Sequence, residues 1–182
     1  MTYDGYVAPS MLQVEGASDV AIEFNSLSKT YNMPGWRLGM AVGNRDALAS
    51  LAQIRSNIGS GTFHPLQDAA VRALSISPGW LAERNEIYRE RLEIVQRGLD
   101  AVGIEMSRAR ATLYAWVRIP PGWASSKEFA LALLEGVGVS VAPGTFFGPA
   151  GEGYVRVSVT APTERVREAM ERIRRFASSL AA

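Results

Sequence analysis

SLSKTYNMPGWRLG, residues 26–39, places one lysine, Lys29, just after a run of strand-forming residues, Val20-Ala21-Ile22-Glu23-Phe24. Two hydroxyls, Ser26 and Ser28, stand before the lysine; eight residues after it comes Arg37, followed by a second apolar run, Leu38 to Val42. A chain that leaves a strand into a turn rich in Ser, Asn, Pro and Gly cannot bury its backbone without partners, so the segment reads as the rim of a pocket rather than as core. A lone lysine or arginine is by default a solvated surface charge. Gly35, Trp36 and Gly39 around Arg37 are not the composition of an ordinary solvated loop.

A lysine so placed can act as an amine nucleophile, and an arginine can fork onto a phosphate with its planar guanidinium. The two serines can add phosphate donors. These are the parts of a pyridoxal phosphate site, in which a Schiff-base lysine and a phosphate grip are held near each other. The longer segment SLSKTYNMPGWRLGMAVGN resembles the lysine segment of the class I/II aminotransferases, fold-type I enzymes that use pyridoxal phosphate. The family pattern is Ser-x-x-Lys, then Arg eight residues on, then x-Gly; Ser26, Lys29, Arg37 and Gly39 occupy those places without a gap.

The rest of the composition narrows the possibilities. A chain of 182 residues makes one domain or two small ones. Hydrophobic content of 47% and charged content of 20% describe an ordinary soluble globular protein. Nineteen basic residues against eighteen acidic ones offer no field for nucleic acid or a membrane surface. Zero cysteines exclude disulfides and thiolate metal sites and suit a cytoplasmic setting. One histidine, His64, cannot by itself build a histidine metal centre, so no metal is expected. The start, MTYDGYVAPS, has no signal-peptide pattern, and no apolar run approaches the ~20 residues of a spanning helix.

In chain order, residues 1–18 read as loop and turn, broken by Gly5, Pro9 and Gly16. Val20–Phe24 and Leu38–Val42 read as short buried strands. Asn44 is an N-cap for a helix with Leu48, Leu51, Ile54 and Ile58 at helical spacing and Gly59 as its stop. Residues 60–64 read as a loop, and Pro65 as the first turn of a helix turning Leu66, Ala70 and Leu74 inward. Trp80 to Val102 is the longest element, with Tyr88, Leu92, Val95, Leu99 and Val102 as an apolar stripe. Glu93 and Arg97 form an i, i+4 pair there, and Gly98 and Gly103 loosen its end. Leu113–Ile119 is a strand, and Ser125 to Glu128 is a capping box for a helix burying Phe129, Leu133 and Leu134. Val139–Ala142 and Tyr154–Val159 are further strands, and Pro162 opens a last helix with Val166, Met170, Ile173 and Leu180 on one face. Helices between strands imply layered α/β packing.

The resemblance covers nearly the whole chain. YDGYVAPSMLQVEGASDVAIEF is similar to the segment just upstream of the family's lysine, closest to the branch with the diaminopimelate and alanine aminotransferases. VAPGTFFGPAGEGYVRVSVTAP is similar to the carboxy-terminal strand pair, in which an arginine binds the substrate's α-carboxylate; Arg156 falls at that position. The resemblance implies an α/β, fold-type I architecture with residues 1–77 as the carboxy-terminal part of the large cofactor domain. Residues 78–100 would be a connecting helix, and 101–182 the small carboxy-terminal domain. A complete family member is much longer. It has a Gly-containing phosphate loop, a ring stacked on the pyridine, an Asp at the pyridine nitrogen and a Tyr at the phenolic oxygen; neither Tyr3 nor Asp4 stands at the last two positions. The chain is therefore similar to the carboxy-terminal half of an aminotransferase.

On that footing Lys29 is the catalytic lysine, linked to pyridoxal 5'-phosphate as an aldimine, and Ser26 and Arg37 are phosphate ligands. Ser28 is structural, and Arg156 binds substrate. Period two along Tyr154-Val155-Arg156-Val157-Ser158 turns the valines one way and Tyr154, Arg156 and Ser158 the other. Thr62 and His64 belong to a loop that in the family approaches the other subunit of a homodimer. Trp36, Trp80, Trp116 and Trp123 share no helical spacing and read as packing residues. The implied partners are an amino acid and a 2-oxo acid. Two alternatives stay open: a non-catalytic truncated or dimerisation module, and a fold-type I lyase using the same lysine.

Overall fold

The computed structural model of the chain describes residues 1–59, 61–107 and 109–180. Two compact units divide the chain: one holds Met1 and Val7–Glu83, the other Thr2–Tyr6 and Arg84–Ala182. The elements in order are α1 (Ala17–Val20), β1 (Ile22–Ser26), α2 (Leu27–Thr30), β2 (Gly39–Gly43), α3 (Arg45–Ile58), α4 (His64–Leu74), α5 (Pro78–Asp100), β3 (Tyr114–Arg118), α6 (Ser126–Val137), β4 (Ala142–Pro143), β5 (Tyr154–Ser158) and α7 (Thr163–Leu180). The division falls within α5. The mixed α/β class agrees with the sequence.

In the first unit β1 and β2 pair antiparallel, with Ser26 opposite Gly39 and Ile22 opposite Gly43. Gly39 is required there: a Cβ would stand 2.8 Å from the Asn25 carbonyl oxygen of the neighbouring strand. Beneath the loop between the strands lies a small core of Leu27, Met33, Leu38 and Ala73, with Tyr31, Met40, Leu66, Ala69 and Ala70 packed around it. The hairpin itself is not buried as its apolar runs suggest; Phe24 is 69% exposed. Two strands form only one ladder, and no further strand among the described residues covers them. Val20 falls in α1 rather than in the strand, and residues 1–18 are more regular than expected. Ser10 and Gln13 make a reciprocal capping box on a short 3₁₀ turn, tied to β1 by the Glu23 carboxylate, which accepts from Ser10 Oγ (2.7 Å) and Met11 N (2.9 Å).

Asn44 caps α3 as its position predicts, its Oδ1 accepting from Ala47 N at 2.8 Å. The helix buries no residue, and Ile54 and Ile58 are exposed. In α4 Ala73 takes the buried place expected for Leu74, which is half exposed. Ser60, in the loop expected at 60–64, lies outside the described residues.

The second unit packs α5, α6 and α7 with a three-stranded antiparallel sheet in the order β3-β5-β4. Its best-buried side chains include Val95, Val117, Leu133, Val155 and Val159. The stripe on α5 is buried as expected at Tyr88, Leu92, Val95 and Leu99, with Ile94 added. Glu93 pairs with Arg97 at 4.0 Å and also with Arg89. Gly98 does not loosen the helix. A Cβ there would meet Met170 Cβ at 2.7 Å, so the glycine lets α5 and α7 approach closely. Ser125 Oγ accepts from Glu128 N (3.1 Å) as a capping residue does, while Glu128 reaches back to Ala124 N (2.9 Å) instead of Ser125 N. Leu134 and Leu180 are half exposed, not inward. The strand expected at Val139–Ala142 shrinks to Ala142–Pro143, because Val139 N is spent closing the α6 terminus on Leu133 O (3.2 Å).

The loop after β4 is closed by two glycines in backbone contact. A Cβ on Gly144 would lie 2.0 Å from Gly151 O, and one on Gly151 would lie 2.1 Å from Gly144 O. No rotamer can relieve an overlap with backbone. Gly144→Ala is therefore expected to cost more than about 2 kcal/mol, which a thermal melt of the 182-residue chain reads as a drop of roughly 5 °C or more. A variant melting with the parent would show that the two turns part freely.

Candidate functional site

The lysine loop is built by the hairpin end. Ser26 closes β1 and caps α2, its Oγ accepting from Ser28 N at 3.2 Å. Lys29 follows within α2 and is exposed, whereas Ser28 is buried at 7% exposure, as a structural serine should be. Leu27 N donates to Leu38 O (3.1 Å), which draws Arg37 back beside the start of α2. Ser26, Lys29 and Arg37 are thus brought to one end of the β1–β2 ladder although the chain between them turns through Asn32, Pro34 and Gly35.

Arg37 holds a left-handed backbone, φ 52°. That conformation is uncommon for a non-glycine residue and costs free energy, so the surrounding turn must impose it. Its guanidinium is exposed, and Nη1 donates to Pro34 O (3.2 Å); among the described residues it makes no ion pair. Whether these groups suit a phosphorylated aldehyde is decided by their chemistry. A serine hydroxyl, a guanidinium not neutralised by a carboxylate and a primary amine are the donors and the nucleophile such a molecule needs, and the donor set fits. Thr62 and His64 are exposed at the start of α4, with Thr62 O accepting from Gln67 Nε2 at 2.6 Å.

In the second unit Arg156 lies on β5 opposite Trp116 of β3 and Ala142 of β4. The alternation holds in part: Val155 and Val159 are buried on one face and Arg156 is half-buried on the other, but Val157, expected to be buried with the other valines, is only half-buried. Its guanidinium carbon stands 4.1 Å from the Tyr114 ring centre and 4.4 Å from that of Phe147. Nε of Arg156 is buried, and among the described residues it meets no acceptor. Most of the other described arginines of this unit pair with a carboxylate, as Arg89 does with Glu86, Arg167 with Glu90 and Arg174 with Glu171. A buried donor without an acceptor is costly unless a ligand supplies one.

Tyr114 and Phe147 were invisible as site residues in the sequence. The period of β3 puts Tyr114 and Trp116 on one face, but only the strand register sets that face beside Arg156. Trp116 does more than fill space: it stacks on Tyr154 (5.7 Å, 18°) and meets Phe147 edge-on (5.8 Å, 69°).

Residues 1–173 match the pattern of the family "Aminotransferase class I and II", and the chain belongs to that family of pyridoxal-phosphate enzymes. The LL-diaminopimelate aminotransferase of Syntrophobacter fumaroxidans is 49% identical over 176 residues, covering 97% of this chain and 45% of that protein. Among solved structures, an aromatic aminotransferase from Pyrococcus horikoshii superposes with a TM-score of 0.92 at 30% identity over 99% of this chain and 48% of its own. A probable N-succinyldiaminopimelate aminotransferase from Thermus thermophilus gives 0.88 at 38% identity over 96% and 46%. The chain spans about half the length of the relatives it matches, in their carboxy-terminal half. No helix among the described residues is long and apolar enough to cross a membrane.

Proposed function

We propose that this chain carries the lysine loop and the substrate-arginine strand of a pyridoxal-phosphate-dependent aminotransferase, which exchanges an amino group between an amino acid and a 2-oxo acid. The reading is carried by one observation: Ser26, Lys29 and Arg37 lie at the same end of the β1–β2 ladder in a chain that the family pattern matches over residues 1–173. That match favours an aminotransferase over a lyase or a non-catalytic module.

When bound, pyridoxal phosphate supplies an aldehyde for an amine and a ring that accepts the electron pair released at the substrate's α-carbon. Arg37 and Ser26 hold the phosphate, the first by charge and paired N–H groups, the second by its hydroxyl. Lys29 Nζ would be the covalent attachment point for the aldehyde, and as a free amine it would hold and move the proton at the substrate's α-carbon. Arg156 binds the α-carboxylate. Residues 1–77 act as part of the large domain, 78–100 as the connecting helix, whose observed limits Pro78–Asp100 support this, and 101–182 as the small domain. The working form is a cytoplasmic homodimer, with Thr62 and His64 toward the second subunit. The named relatives make LL-diaminopimelate the first amino acid to test.

The cofactor reading is tested on the 182-residue chain with pyridoxal phosphate and with pyridoxal, which lacks the phosphate. The phosphorylated aldehyde should give a saturable visible band that sodium borohydride bleaches, at lower concentration than pyridoxal. Arg37→Ala should erase that preference. Equal reaction of both aldehydes with the parent chain would remove the phosphate grip from the proposal.

A further inference from the structure

We propose that Tyr114 and Phe147 are positioning residues for Arg156: two aromatic faces that clamp its guanidinium plane and hold it ready for a carboxylate. The inference rests on the reading of Arg156 as a carboxylate site. An arginine side chain has several rotatable bonds and loses about 2 kcal/mol of rotamer freedom when fixed. Proteins usually fix one with a carboxylate, but such a partner occupies the N–H groups that a ligand would need. Here no carboxylate among the described residues does so. Ring faces attract the cation without accepting its in-plane N–H groups, so the guanidinium is held while no acceptor among the described residues takes its Nε–H.

The rings are themselves held. Tyr114 is the diagonal neighbour of Arg156 across the β3–β5 ladder, since Tyr114 pairs with Ser158 and Trp116 with Arg156. Phe147 ends the 3₁₀ turn Gly144–Phe147 and is half exposed, yet it packs on the cation and against the edge of Trp116. The glycine contact between Gly144 and Gly151 closes its loop. Beyond that contact Glu152 anchors the loop, accepting from Gly153 N (2.8 Å), Ser126 N (2.6 Å) and Ser126 Oγ (3.3 Å). Those donors, the Gly153 and Ser126 amides first, hold the Glu152 carboxyl below the usual carboxylate range. An aromatic ring on a braced loop thus meets one on a strand, with the guanidinium between.

The probe is acetate, titrated into the ¹⁵N-labelled 182-residue chain while the Arg156 Nε–H resonance is followed together with the backbone amides of Val155 and of Trp116, the residue opposite Arg156, which report acetate in every variant. In the parent, ring currents from both faces should shift this proton upfield, and acetate should move it saturably. Tyr114→Leu and Phe147→Leu should each lose part of the upfield shift and weaken acetate about fivefold or more, as expected for partly desolvated cation–π contacts. Tyr114→Phe and Phe147→Tyr, which keep the ring, should bind acetate as the parent does; they also separate clamping from a folding defect. If the leucine variants retain parental acetate affinity while Arg156→Lys loses it, the clamp is wrong and the carboxylate reading stands. If Arg156→Lys binds acetate as well as the parent, the carboxylate reading falls and the clamp with it.

Discussion

Lys29→Ala is expected to abolish site-directed attachment of pyridoxal phosphate while leaving the fold intact. The chain contains two lysines, Lys29 and Lys127, so reduction with borohydride followed by peptide mapping gives an unambiguous answer. At stoichiometric cofactor the parent should carry its label on Lys29. The variant should carry none above the level of Lys127, an exposed residue in the first turn of α6. Nothing in the core should change, because Lys29 is exposed and the neighbouring cluster is made by Leu27, Met33, Leu38 and Ala73. Truncating an exposed side chain away from caps and cores is usually within about 0.5 kcal/mol of neutral. Labelling of Lys127 equal to that of Lys29 in the parent would sink the assignment of the nucleophile, since the hairpin would then confer no selectivity.

The second large effect is expected at Arg156, in a chain of the relatives' full length that includes these residues. Arg156→Lys keeps the charge but not the planar fork, so the α-carboxylate is held by a point charge and loses its fixed plane. A lysine ammonium also fits the space between two rings less well than a flat guanidinium. Loss of a hydrogen-bonded charge partner in a desolvated site costs about 2–5 kcal/mol, at least roughly 30-fold in kcat/KM for every amino acid substrate. The visible spectrum of the bound cofactor should stay unchanged. Normal substrate kinetics with an altered spectrum would instead make Arg156 a cofactor ligand or a structural residue of β5.

Some of this was legible in the residues. The Asn44 cap, the stripe on α5 and the Ser125 cap follow from local rules that act within one or two turns of chain, and each stands in the structure. The spacing of Ser26, Lys29, Arg37 and Gly39 carried the family. Burial is less legible. Phe24, Ile54, Leu74 and Leu180 are apolar and periodic, yet exposed, because a pattern says which face is apolar and not what covers it. Gly98 illustrates the same limit: as a helix residue it suggests fraying, and only the presence of Met170 makes it a packing site.

Most of the helices and strands, the lysine and arginine of the proposed cofactor loop, and the family are legible in the residue order, because hydrophobic period, capping and motif spacing are properties of neighbouring residues. Tertiary structure alone decided what surrounds Arg156. Tyr114, Phe147 and Arg156 lie far apart in the chain, and neither their spacing nor their types link them. The β3–β5 register and the Gly144–Gly151 contact bring two rings onto one guanidinium, and a one-residue slip of that register would turn Tyr114 to the opposite face.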